Sequence, residues 1–240
     1  MVENIMQRVA EQIGCDCVFL PSSEDAGQVI RIYEEAKKEG MQEGYTPVLI
    51  VPDEELFRRM QKAEEPAYYL AEYKKHQGKD ILDGFLQEIK TDLFKQGEPW
   101  EEVIADVEDG EAMNDFIGFL SDDGEMTLDV ILAKVPTKHP WEVFAWVPMG
   151  GFDECPPTEY IMAIMKYWVE KYQFEPVVIT QDIIEGRVPK RPETEKEAVE
   201  IGEEQYAFAP DIVEQCCMDA TIGQLADTLM KSDLWFFWWD

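Results

Sequence analysis

The residues best suited to chemistry lie in one short run, Gly150-Gly151-Phe152-Asp153-Glu154-Cys155-Pro156-Pro157. Two glycines allow a tight turn and a close approach of backbone to a neighbour. A thiol follows them and stands just before the start of a helix, where the helix dipole favours the thiolate. Asp153 and Glu154 beside it act the other way, because like charge disfavours a second anion. A cysteine nucleophile also needs a base. The chain has two histidines: His76 in a polar helical stretch and His139 in a proline-bounded turn, and of these His139 is the plausible base. A strand hands over to a helix at this run, a place where clefts form. Gly150, Gly151, Asp153, Glu154, Cys155 and Tyr206 are therefore the candidate cleft or binding loop. The same residues also read as a packed turn around a structural thiol.

Other chemistries are disfavoured by spacing. Two isolated histidines do not make a zinc site, and neither Cys15-x-Cys17 nor the adjacent pair Cys216-Cys217 has the C-x₂₋₄-C spacing of a zinc knuckle. The glycines lack the lysine and spacing of a phosphate loop, and no G-x-S-x-G elbow occurs. The acidic stretches around Gly110 and Gly124 do not fit a calcium loop. No metal and no cofactor are expected.

Charge narrows the partners. Against 21 Lys and Arg stand 51 Asp and Glu, a net charge of −30. That field repels phosphate, so nucleic acid and anionic membranes are poor partners. No apolar stretch approaches the roughly 18 residues of a membrane span, and no signal peptide is visible. Five cysteines at awkward spacings imply reduced thiols in the cytoplasm. These features favour an interaction module that captures a basic protein partner, immunity-like in form, because complementary charge speeds association. The alternative is a hydrolase or small-molecule-binding protein with its cleft at Gly150–Cys155.

The elements that must position these residues follow from periodicity. Hydrophobic residues make up 45% of the 240-residue chain and aromatic residues 12%, enough for a sizeable core. Helices are expected over Met1–Ile13, from a cap at Ser22 or Ser23 to about Glu39, after Asp53, through Ile81–Leu93, from Pro157 to Tyr172, over Thr194–Phe208 and around Ile222–Leu229. Strands are expected near residues 16–20, 47–51, 116–120, 127–135, 142–148, 176–181, 183–188 and 234–239. Ser121-Asp122-Asp123-Gly124 suggests a hairpin, making residues 116–148 an antiparallel meander. The aromatic run Leu234–Trp239 must dock as a strand or plug the core. The fold class is α+β, a mixed sheet flanked by helices in one compact domain over 1–240, or in two lobes, helix-rich 1–110 and sheet-rich 111–240. "PVLIVPDEEL" and "PVVITQDIIE", each after a strand and a helix, hint at an internal strand–helix–strand duplication.

Several long motifs carry a resemblance: "GYTPVLIVPDEEL" from Gly44, "KVPTKHPWEVFAWVPMGGFDECP" from Lys134, "KYWVEKY" from Lys166, "EQYAFAPDIVEQ" from Glu204, and "TIGQLADTL" with "LWFFWWD" at the carboxyl end. They resemble the bacterial family called domain of unknown function 4253. The family loop reads G-G-W-N-E-C-P, so Phe152 and Asp153 depart from it. Relatives tend to carry a cysteine where this chain has Ala209, which argues against an essential thiol there. The family implies no established activity and no catalytic residues.

Overall fold

The computed structural model describes residues 4–217 and 220–240. Short polar caps set where the first helices begin. Asn4 accepts the amide of Met6 and starts α1 (Ile5–Ile13), so the start expected at Met1–Glu3 lies outside the described residues. Asp25 starts α2 (Ala26–Glu43) and Asp53 starts α3 (Glu54–Lys62), each by accepting an amide three residues on. The helix expected to stop near Glu39 runs on to Glu43. Gly40 stays inside it because Tyr45 packs so closely that a Cβ there would strike the Tyr45 backbone.

Between α1 and α2 lies β1 (Asp16–Leu20), and between α2 and α3 lies β2 (Thr46–Ile50). Helices α4 (Pro66–Glu72), α5 (Gly78–Gln96) and α6 (Trp100–Ile104) follow. The second half supplies β3 (Val130–Val135), α7 (Thr158–Tyr172), β4 (Glu175–Ile179), β5 (Ile183–Arg187), α8 (Glu195–Phe208), α9 (Asp211–Glu214), α10 (Ile222–Lys231) and β6 (Leu234–Trp238).

Six strands form one mixed sheet in the order β1-β3-β2-β4-β5-β6. β3 is antiparallel to both β1 and β2, β2 and β4 are parallel, and β5 and β6 continue antiparallel. The fold class is α+β, as the periodicity implied. Alternation divides the apolar strands between two cores. Val48, Ile50, Ile131, Ala133 and Val135 face the larger one, which α1, α3, α5, α7, α8 and α10 cover. Leu49, Val51, Val130 and Leu132 face a smaller one under α2 and the ring of Phe119. The terminal aromatic run docks as β6, with Phe237 stacked on Trp168 at 5.0 Å.

The expected meander is not there. Phe116–Leu120 makes no strand: only an isolated bridge joins Leu120 to Thr127. Phe116 and Phe119 are instead both buried in the smaller core, while Ile117 and Gly118 give their amides to a side chain, Glu185, at 2.9 Å each. Residues 142–148 are not a strand either. Pro140–Ala145 is a 3₁₀ turn, and Val143, Phe144 and Ala145 are buried in succession, which a two-faced strand does not produce. Glu142 anchors it, accepting from nearby Thr137 and from the remote Tyr73. The echo between the two strand–helix–strand stretches does not extend to topology. β1 and β2 run the same way on either side of β3, whereas β3 and β4 run opposite ways on either side of β2. Among the described residues, no helix is long and apolar enough to cross a membrane.

Candidate functional site

The Gly150–Pro156 loop is a tight backbone knot. Gly150 has φ 95 and Gly151 φ 71. A Cβ at Gly150 would strike the carbonyl of Pro156, so the first glycine is a steric requirement. The amide of Gly151 donates to the carbonyl of Cys155 at 3.0 Å, and the amide of Cys155 donates back to Phe152 at 2.8 Å. Asp153 sits at φ 41, a left-handed conformation that Asp and Asn tolerate better than most residues. The acid or amide at this place in the loop is thus explained by backbone shape.

The knot divides its residues between two environments. Cys155 points inward and is 3% exposed. Burial pushes its thiol up, outweighing the pull of Arg59, and Asp182 adds to the rise. A buried thiol held protonated is a packing residue in this arrangement, not an activated nucleophile. His139 stacks on Trp141 at 4.7 Å and His76 lies edge-on to Tyr160 at 4.8 Å. The charged groups that act on Cys155 are Arg59 and Asp182.

Arg59 is a residue that periodicity alone did not single out. It stands in the last turn of α3, places its guanidinium over the Phe152 ring at 3.4 Å and donates to the carbonyl of Gln181 at 2.5 Å. One side chain thereby ties the loop to α3 and to the β4–β5 turn.

Glu154 points outward into a groove of about 420 Å³. Phe85, Ile89 and Leu93 of α5 supply apolar walls, and Tyr206 and Ala207 come from α8. Four carboxylates line it from three parts of the chain: Glu88 and Asp92 on α5, Glu154 on the loop and Glu214 on α9. No Lys or Arg is among the lining residues. Asp92 has an exposed pair with Lys95 at 2.7 Å, which is worth little. Tyr206 donates its hydroxyl to Glu214 at 2.8 Å, and burial raises its phenol above the ordinary range. The carboxyl of Glu154 is also raised, first by burial and then by Asp211, Glu214 and Asp153. Among the described residues, no three of His, Cys, Asp or Glu converge as the ligands of a metal ion would.

Of the loop residues and Tyr206, the structure therefore brings Glu154 and Tyr206 to one groove, buries Cys155 beneath it and leaves Gly150, Gly151 and Asp153 as the frame. Glu88 and Asp92 were missed, although their spacing of four residues puts them on one face of a helix. Glu214 carried no sequence signal.

Residues 131–240 match the family model described as domain of unknown function (DUF4253). This segment is similar to that family. The match takes in the loop, Tyr206 and Glu214, while Glu88 and Asp92 lie outside it, on α5. Ala209 is fully buried, so it is a core position. No curated protein and no solved structure matches the chain.

Proposed function

We propose that this protein is an interaction module that captures a basic protein partner in the groove bounded by α5, the Gly150–Pro156 loop and α9. The observation that carries this reading is the convergence on one groove of carboxylates from three chain segments, with no Lys or Arg among the lining residues and with Glu154 crowded by the charges of Asp211 and Glu214. A lysine or arginine of a partner would offset that charge, and its alkyl stem would cover Phe85, Ile89 and Leu93. Spread carboxylates suit several cationic side chains better than one metal ion. The net charge of −30 would steer such a partner from a distance. An immunity-like role, in which the partner is a basic toxic enzyme, is one form of this reading.

The test separates the groove from the general field. A basic amphipathic peptide of alternating Lys and Leu turns is titrated into three proteins by calorimetry at low and moderate salt. The first is the parent; the second carries Glu88→Lys, Asp92→Lys and Glu154→Lys; the third carries Glu24→Lys, Glu108→Lys and Asp122→Lys. All six positions are exposed, and both variants change net charge equally. The groove variant is expected to lose at least about tenfold in affinity while the remote variant loses a small factor. Equal losses in both would mean that only the global field attracts the peptide, and the groove assignment would fail.

A further inference from the structure

Among the described residues, four indoles give their N–H to protein acceptors. Trp100 donates to Glu203, Trp141 to Tyr73, Trp168 to Glu204 and Trp239 to the carbonyl of Phe208. Among the described residues, the buried Nε1 of Trp235 and the buried Nε2 of Gln205 have no acceptor. Gln205 is 1% exposed and Trp235 2%. Their surroundings are otherwise well paired: Glu204, next along α8, takes donors from Tyr167, Trp168, Lys171 and Tyr172. A buried donor without a partner is destabilising, and such groups in a folded protein call for an explanation.

Both residues line the same cavity. It has a volume of about 350 Å³ and lies between α8, α9, α10 and β6. That is within the range of small-ligand pockets, about 300–1,000 Å³. Ile212, Leu225, Leu229 and Phe236 give it an apolar lining. Its solvent-exposed lining includes two carboxylates, Asp109 and Glu111. It shares no lining residue with the acidic groove.

We propose that this cavity binds an uncharged small molecule with a compact apolar body and a carbonyl-type acceptor, which takes the hydrogen bonds of Trp235 and Gln205. The apolar body follows from the lining, and the acceptor from two donors without partners. The absence of charge follows from Asp109 and Glu111, which disfavour a carboxylate or phosphate entering past them. A purely cationic ligand would satisfy those carboxylates and leave both donors unpaired. A site built this way discriminates by its polar groups, because a ligand lacking the acceptor forfeits the pairing.

The experiment uses the full chain labelled with ¹⁵N and follows the indole N–H signals of its seven tryptophans. The Trp235 signal is assigned as the one lost in Trp235→Phe, or, should that variant not fold, through its contacts with Phe174, 5.2 Å away. The probe is N-cyclohexylacetamide. Cyclohexylamine, a cation without an acceptor, and cyclohexanecarboxylate are the comparisons. The amide is expected to move the Trp235 proton downfield and saturably, and the carboxylate to bind at least about tenfold more weakly. The amine is expected to leave that signal in place. Gln205→Leu should weaken the amide by about tenfold. The proposal is overturned if the amide leaves the Trp235 signal unmoved up to about 10 mM, a generous limit for so small a ligand. It is equally overturned if the amine moves that signal as far, or if Gln205→Leu binds the amide undiminished. The last result would mark a cavity that accepts any apolar filler.

Discussion

Glu185 shows how one side chain can make an irregular segment part of the core. It is 1% exposed, in the middle of β5, and its two oxygens take the amides of Ile117 and Gly118. Those donors stabilise the carboxylate, yet burial outweighs them and pushes the carboxyl up to about 7. The sign of the linkage follows. A folded-state value above the ordinary one means that the native protein holds a proton the unfolded chain has released. Stability contributed by this group is therefore present at about pH 4.5 and lost as the pH rises through 7, by on the order of 3 kcal/mol. Urea unfolding at pH 5 and pH 8 checks this. Glu185→Gln is expected to narrow the difference in stability between the two pH values. An unchanged difference would place the dependence on other groups.

Among the elements, α5 and α7 pack at a distance set by a glycine. Gly78 opens α5, and a Cβ there would strike the carbonyl of Ala163 in α7. Gly84, one and a half turns on, faces open space. The two should respond oppositely to the same change. Gly78→Ala is expected to destabilise by about 1–3 kcal/mol through overpacking. Gly84→Ala is expected to stabilise by up to about 1 kcal/mol through helix propensity. Thermal unfolding of the two single variants compares them directly. Helix caps and continuous apolar runs were legible in the sequence because they are local: Asp53 and Thr194 cap where they stand, and Val48–Ile50 and Val177–Ile179 are strands. The stretches 116–120 and 142–148 were misread because their apolar patterns suit several structures. What decided them was remote, the carboxylate of Glu185 for one and Tyr73 for the other. The site was legible in part for the same reason. The Gly150–Cys155 loop announces itself in the sequence. The groove beside it needs Glu88, Asp92 and Glu214, which only the tertiary fold brings near Glu154.

At the scale of the whole molecule the net charge of −30 is a standing strain on the folded state. Several of its ion pairs are exposed and weak, such as Arg31–Asp25 and Lys196–Glu200. Salt should therefore stabilise the protein, since screening shortens the reach of charge from about 10 Å at 0.1 M to about 3 Å at 1 M. The urea midpoint is expected to rise with sodium chloride while the slope of unfolding stays constant. A falling midpoint would show that the ion pairs outweigh the repulsion.

The order of strands also governs how the chain can be divided. β1 and β2 come from the first half but are not neighbours, because β3 lies between them, and β2 in turn fills the gap between β3 and β4. A cut in the loop before β3 would leave residues 1–129 with two strands that cannot pair across the missing one. The other piece would have three adjacent strands and a fourth stranded beyond an empty place. Each fragment would hold the template the other lacks, as the halves of a split reporter do. The family match begins inside β3, at residue 131, so a fragment trimmed to the match would contain most of the groove's loop side and none of the strand on which its sheet depends.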